Sequence, residues 1–233
     1  MRIFPDIHQL DGIDCNVYVI IEADGLTLVD TGLPWLTKRV LAGIQALGHQ
    51  PQEVRRILLT HQHIDHIGGL AALVRATGAE TWAHPADAPA IEGQAPREAP
   101  SGPIGLLFRT VLLPRLRPAR ITHRVREGAT LPVFSAEGGL RVVETPGHTI
   151  GHISFYLPTR KLLIAGDAVR SAGGRLNPPP AVFSLDMPMA LQSIRKLAAM
   201  DVDACLPGHG SPVTTGAQAL LAASAGAPSL SRV

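Results

Sequence analysis

One stretch of the chain concentrates side chains able to bind a metal. His61-Gln62-His63-Ile64-Asp65-His66 carries three imidazoles and a carboxylate, in a chain of 233 residues with 10 His. The apolar run Ile57-Leu58-Leu59 precedes it and reads as a buried strand. Gly68-Gly69 and the apolar residues 70–74 follow and read as the start of a helix. Ligands at the end of a rigid strand, held in a turn before a helix, are well placed to form a metal site. Residues two apart in an extended segment point the same way. His61, His63 and, at the end of that stretch, Asp65 are therefore expected on one side, with His66, past a bend, pointing elsewhere. That division favours two metal positions over one.

Three more segments present a single imidazole or carboxylate beside glycine after an apolar run. They are Thr145-Pro146-Gly147-His148-Thr149, Ala165-Gly166-Asp167-Ala168 and Leu206-Pro207-Gly208-His209-Gly210. Glycine permits the tight turn that a ligand at a strand end needs. Zinc accepts His nitrogen and carboxylate oxygen, and a catalytic site keeps one position for water. Seven such donors are too many for one tetrahedral ion and suit two ions bridged by a carboxylate and a water. A further carboxylate, Asp30, ends the run Leu28-Val29-Asp30-Thr31-Gly32. It could orient a ligating histidine from behind or satisfy only its own turn.

The elements that must hold these residues follow from pattern. Strands are expected at 3–7, 17–21 and 26–29, with Asp24-Gly25 as a hairpin turn. A helix over 34–47 has Pro34 in its first turn, Gly48 beyond its end and an apolar stripe of Leu36, Val40, Ile44 and Leu47. Then come a strand at 54–60, a helix at 70–77 and a short strand at 80–83, after which His84 reads as a surface residue. Further strands are expected at 131–134, 140–144, 153–157 and 162–165. Asp186 caps a helix reaching residue 200, a strand at 202–206 delivers His209, and a helix at 215–225 closes the chain before a fraying end. The alternation suggests two β-sheet halves facing each other within a single domain, residues 1–233.

Residues 85–126 behave differently. They are rich in Pro, Gly and Ala, with little regular pattern before Ile104. The apolar Leu106, Leu107, Phe108 and 111–113 follow, then Arg115, Arg117, Arg120, Arg124 and Arg126, and no acidic residue lies between Glu98 and Glu127. This insertion is expected to be a lid able to hold an acyl chain and an anionic head group, an oligomer interface, or a solvated basic face packed by arginine stems. Contact with a membrane is a lesser alternative.

Composition bounds the rest. Hydrophobic residues make up 45% and charged residues 17%, as in a compact soluble protein. The net charge of +2 gives no global argument for nucleic acid. Cys15 and Cys205 show no metal-type spacing and are expected to be buried thiols. The first residues lack the apolar stretch of a signal peptide, and no run is long enough to cross a bilayer. The expectation is a cytoplasmic protein with a small-molecule substrate, no nucleic-acid or membrane partner, and homodimerisation as an option.

His-x-His-x-Asp-His at 61–66, followed in order by His148, Asp167 and His209 and preceded by the Asp30 turn, resembles the metallo-β-lactamase superfamily. The likeness runs from about Asn16 to Val213. It implies an α+β fold, a four-layer αββα sandwich. It also implies that His61, His63 and His148 hold one metal, Asp65, His66 and His209 a second, and that Asp167 bridges them. The expected cofactors are two divalent ions, Zn first, with Fe or Mn as alternatives. The implied activity is a dinuclear hydrolase that uses a metal-bound hydroxide on a small ester, lactone or thioester, with Asp65 as a proton acceptor. No Gly-x-Ser-x-Gly elbow is present, consistent with a nucleophile that is not a side chain. The alternatives on the same scaffold are a mononuclear iron persulfide dioxygenase and a phosphodiesterase. The chain resembles the glyoxalase II and lactonase branch, without the helical glutathione-binding region that follows the last histidine in glyoxalase II. Related lactonases place a tyrosine in the second half as general acid. Here only Tyr18 and Tyr156 occur, both in expected strands; Ser171 and His123 are weaker candidates.

Overall fold

A computed structural model describes residues 1–10, 15–99 and 102–226. It divides into two compact units, Met1–Arg124 and Val125–Val233.

The first unit is built on a seven-stranded sheet whose strands follow sequence order: β1 (Arg2–Phe4), β2 (Ile7–Gln9), β3 (Tyr18–Glu22), β4 (Gly25–Val29), β5 (Val54–Leu58), β6 (Glu80–Ala83) and β7 (His123–Arg124). The pairs from β1 to β4 are antiparallel; β4 to β7 run parallel. The single expected strand at 3–7 is broken in two by a turn at Pro5-Asp6. In the β3–β4 hairpin Glu22 pairs with Gly25, so Ala23-Asp24 form the turn, one residue earlier than expected.

Parallel neighbours need crossovers, and helices supply them. A 3-10 turn at Pro34–Leu36 leads into α1 (Thr37–Ala46), and α2 (Ile64–Ile67) and α3 (Leu70–Thr77) follow β5. Val40 and Ile44 of α1 and Leu70 and Leu73 of α3 bury against Leu28, Ile57 and Leu59 in one apolar cluster. Fully burying each such side chain contributes about 1.5–3 kcal/mol.

The described residues of 85–126 hold more regular structure than their composition suggests. They form α4 (Ala88–Ile91) and α5 (Gly102–Leu107), then a π-helical turn at Phe108–Leu112 and a 3-10 turn at Leu113–Arg115, before re-entering the sheet as β7. Phe108, Leu112 and Leu113 pack on the core cluster, whereas Leu106, Leu107 and Val111 are exposed.

The second unit holds β8 (Thr130–Leu131), β9 (Leu140–Glu144), β10 (Ile153–Leu157), β11 (Leu162–Gly166), β12 (Arg170–Ala172), β13 (Arg175–Asn177) and β14 (Ala204–Pro207). Five of them form a sheet in the order β14-β11-β10-β9-β8, with β11 and β14 parallel. The strand expected to reach 134 stops early because Phe134 takes φ +55° into a 3-10 turn. β12 and β13 pair as a separate hairpin that was not expected, joined by Gly173-Gly174 with both φ positive. The helices are α6 (Met187–Ala198) and α7 (Ala217–Gly226). Asp186 caps α6 as expected, its Oδ1 accepting the Met189 N–H at 2.8 Å. Residues 227–233, expected to fray, lie outside the described residues.

Among the described residues no helix is long and apolar enough to cross a membrane. Cys15 and Cys205 are buried thiols outside any disulfide, and burial pushes the Cys205 thiol up to about 12.

Candidate metal centre

In the first unit every candidate ligand sits at the C-terminal end of β5. His61 leaves the strand through Leu59-Thr60, and His63 is the residue before α2. Asp65 and His66 lie on that helical turn. The extended alternation therefore ends at His63, and the turn swings His66 back. Its ring centroid is 4.1 Å from that of His61, closer than the 4.7 Å between His61 and His63. The expectation that His66 points elsewhere is corrected by this helical rotation. Ligand atoms of His61 and His63, of His61 and His66, and of Asp65 and His66 lie within 4.8 Å of each other. Asp65 Oδ2 is 3.6 Å from His66 Nε2.

Asp30 reaches this turn because β4 runs parallel to β5 and ends beside it. Its backbone is left-handed, φ +61°, and its N–H is tied to the Leu58 carbonyl at 2.9 Å. The buried carboxylate accepts three hydrogen bonds. Thr60 N–H reaches Oδ1 at 2.9 Å, and the Thr60 hydroxyl and His66 Nδ1 each reach Oδ2 at 2.8 Å. The Thr60 proton is thereby committed to Asp30, so the 3.0 Å contact of Thr60 Oγ1 with His61 Nδ1 has the ring N–H as donor. Both histidines thus carry their proton on Nδ1 and keep the Nε2 lone pair for a metal, the usual outcome of such outer partners.

A second carboxylate holds the other side of His61. Asp87 is buried and accepts the Gln62 N–H at 3.0 Å and the Gln62 side-chain amide at 3.3 Å. The same Gln62 exchanges two 3.3 Å hydrogen bonds with Glu98. The backbone amides flanking His61 therefore rest on Asp30 and Asp87. His84, expected at the surface, is buried, and its Nδ1 accepts the Ala86 N–H; the turn into α4 draws it in. The Cys15 thiol donates to the Asp65 carbonyl at 2.8 Å. Asp87 and Thr60 were missed from sequence, where nothing distinguishes them from other polar loop residues.

In the second unit the three candidate ligands come from three strand ends: His148 after β9, Asp167 after β11 and His209 after β14. Asp167 Oδ2 lies 3.4 Å from His148 Nε2 and 3.4 Å from His209 Nε2. His148 Nδ1 is 3.2 Å from Ser184 Oγ, whose proton goes to the Pro180 carbonyl, so the ring donates and Nε2 again keeps its lone pair.

Backbone framing is tight here. Gly147 has φ +125°, and a Cβ there would lie 2.1 Å from the Ala190 nitrogen. Gly210 has φ +85°, and a Cβ there would lie 1.9 Å from the Ser171 carbonyl oxygen. Ser171 N–H in turn donates to the His209 carbonyl at 2.9 Å, so β12 pins the last ligand. His152, absent from the sequence-based set, is buried; its Nε2 accepts the Asp167 N–H at 3.0 Å and its Nδ1 meets Thr145 Oγ1 at 2.8 Å. The available signal was a histidine heading the apolar strand at 153–157.

Three of the general-acid candidates, Tyr18, Tyr156 and His123, are engaged elsewhere. The buried Tyr18 hydroxyl accepts from Asn16. Burial raises the Tyr156 phenol above its ordinary value, and its O–H donates to the Asp201 carbonyl at 2.6 Å. His123 stacks on Trp82 with centroids 3.9 Å apart and lies 3.2 Å from Glu80.

The donor set is imidazole nitrogen and carboxylate oxygen throughout, which suits Zn, Fe or Mn. The Nε2 lone pairs of His61, His66 and His148 are set by their Nδ1 partners, so these residues fit metal ions.

The family described as the metallo-beta-lactamase superfamily matches residues 10–209. A probable metallo-hydrolase, YflN, of Bacillus subtilis is 29% identical over 231 residues, covering 89% of this chain and 85% of the relative. A hydroxyacylglutathione hydrolase of Rhodospirillum rubrum is 31% identical over 196 residues, covering 84% of this chain but only 62% of the relative. Among solved structures, the subclass B3 metallo-beta-lactamase BJP-1 of Bradyrhizobium japonicum superposes with a TM-score of 0.72 at 25% identity, covering 97% of this chain and 88% of that one.

Proposed function

The chain belongs to the metallo-beta-lactamase superfamily and has its mixed α/β fold, and from that premise we propose that it is a dinuclear metal-dependent hydrolase of a small ester, lactone or thioester. The observation that carries the reading is Asp167, one carboxylate oxygen equidistant from the Nε2 atoms of two histidines. That is the donor arrangement a bridging ligand requires. In this reading His61, His63 and His148 would hold one ion, Asp65, His66 and His209 the other, and Asp167 would serve both. The metallo-hydrolase and hydroxyacylglutathione hydrolase names of the relatives support hydrolysis and point the substrate search toward acyl thioesters.

Two divalent cations, when bound, would supply Lewis-acid activation of water and stabilisation of the developing oxyanion. The chain's own residues do the rest. Asp30 and Thr60 fix His61 and His66 in the tautomer that can ligate, and Asp87 immobilises the peptide between His61 and His63. His152 fixes the backbone that carries Asp167. Asp65 is the most solvent-open carboxylate of the set, with 29% of its side chain exposed. Its Oδ2 takes the proton of the attacking water and returns it to the leaving oxygen or sulfur as the acyl bond breaks. No tyrosine is needed as acid in this scheme, in keeping with the engagement of Tyr18 and Tyr156.

The test is a hydrolysis screen of lactones, thioesters, esters and phosphodiesters, with metals quantified in the same sample. The expected result is about two equivalents of metal and turnover of an acyl substrate that a chelator abolishes. One equivalent of iron with oxygen uptake on a persulfide, or phosphodiester turnover alone, overturns the reading.

A further inference from the structure

Arg97 lies in the segment after α4, beside Glu98. Through its N–H and its carboxylate, Glu98 bonds Gln62, the residue between ligands His61 and His63. Arg97 is thus one residue from a direct tether to the ligand turn, within the same unit. Among the described residues its Nε and Nη2 are buried and have no hydrogen-bond partner. These two nitrogens form the side-on edge of the guanidinium, the fork that receives both oxygens of a carboxylate or phosphate. Burial lowers the affinity of this guanidinium for its proton, with no offsetting acidic group among the described residues. The sequence agrees: Glu98 already serves Gln62, and the next 28 residues, 99–126, contain no acid.

A desolvated cation without a counter-ion costs stability. Two arginines of this unit show the usual alternative, a paired guanidinium. Arg56 bonds Asp24, and Arg124 bonds Glu92 at 2.7 Å. A binding group retained at the expense of stability is a common mark of a site built for a ligand.

We propose that the Nε–Nη2 fork of Arg97 binds an oxyanion on the substrate, so that the enzyme selects acyl compounds carrying a second, anionic group. This deepens the hydrolase reading and rests on it for the word substrate. The anion could be a carboxylate or a phosphate, and the two share the same bidentate chemistry.

The experiment pairs two thioesters of equal chain length, one ending in a carboxylate and one in a methyl group, with wild type, Arg97→Met and Arg97→Lys. A charge-assisted bidentate contact is worth about 1.5–3 kcal/mol, or roughly 10–150-fold. The expected result is a loss of that order in kcat/KM for the carboxylate substrate in Arg97→Met. Arg97→Lys should fall between, and the methyl substrate should change by less than about 2-fold. Calorimetric binding of succinate and of inorganic phosphate is read in parallel; at least one should bind wild type and be lost in Arg97→Met, and which one identifies the anion. The melting temperature of Arg97→Met should stay level or rise, because an unpaired cation has been removed.

Equal losses on both substrates, a fall in melting temperature, or anion binding that ignores the substitution would each overturn the proposal. If neither thioester is turned over while succinate or phosphate binding still depends on Arg97, the hydrolase reading fails and the anion site stands.

Discussion

The two units present their ligands in opposite ways. In the first, four donors fall within six residues and are braced by side chains: Asp30, Thr60, Asp87 and Gln62 all hydrogen-bond to the same turn. In the second, three donors are spread over 62 residues, counted from His148 to His209. They are framed mainly by backbone, through Gly147, Gly210 and the Ser171–His209 hydrogen bond. A dense motif can be steered by its neighbours' carboxylates. Isolated ligands must inherit their positions from how strands end and how closely chains approach.

Substitutions can break that contrast. The ligands themselves should matter equally in both units. His61→Ala and Asp167→Ala should each lower hydrolysis by more than about 100-fold, because losing an outer partner alone costs about 10–100-fold. A retained rate in either variant, measured with metal content, removes that residue from the site. Next come the glycines. Gly210→Ala combines a left-handed backbone with an overlap against the Ser171 carbonyl and should cost about 3 kcal/mol or more in denaturant unfolding. The comparable change in the first unit, Asp30→Ala, should show another signature: metal affinity down about 10–100-fold, and stability down by about 1–3 kcal/mol from the unpaired Thr60 and His66 groups. If Gly210→Ala melts normally yet loses metal, the division into side-chain and backbone bracing is wrong.

His152→Gln should sharpen the comparison. The Gln oxygen can still accept the Asp167 N–H, so a loss below about 10-fold is expected, against a larger one for His152→Ala. At neutral pH the smallest effect concerns Cys205. Its thiol titrates near 12 when folded, above the ordinary value of 9.0. The folded state therefore holds this proton more tightly, and its contribution is complete below pH 9. Stability then falls by about 1.4 kcal/mol per unit as pH rises from 9 toward 12. Thiol reagents at pH 8 should leave Cys205 unmodified until the protein unfolds.

The same contrast explains what could be read from the sequence. The density of 61–66 announced itself, and the lengths of α3 and β6 followed from apolar period and flanking Gly. The direction of His66 did not, because a helix of four residues, ended at once by Gly68-Gly69, is too short to leave a periodic signal. His84 looked exposed because a lone histidine before proline is usually a surface residue, and only the turn into α4 buries it. His152 and Asp87 act through hydrogen bonds to backbone N–H groups, and no spacing rule encodes such bonds. β12 and β13 were overlooked because three-residue strands carry too few residues for alternation to show.

The stacking of His123 on Trp82 has a practical consequence. β7, which ends the long excursion from residue 85, is held to the sheet's edge partly by this ring pair. Of the two tryptophans in the chain, Trp35 is largely open to solvent, whereas Trp82 is covered by the imidazole. Indole emission from Trp82 is therefore a native optical gauge of whether that excursion is seated, readable in a stopped-flow instrument without attaching any dye.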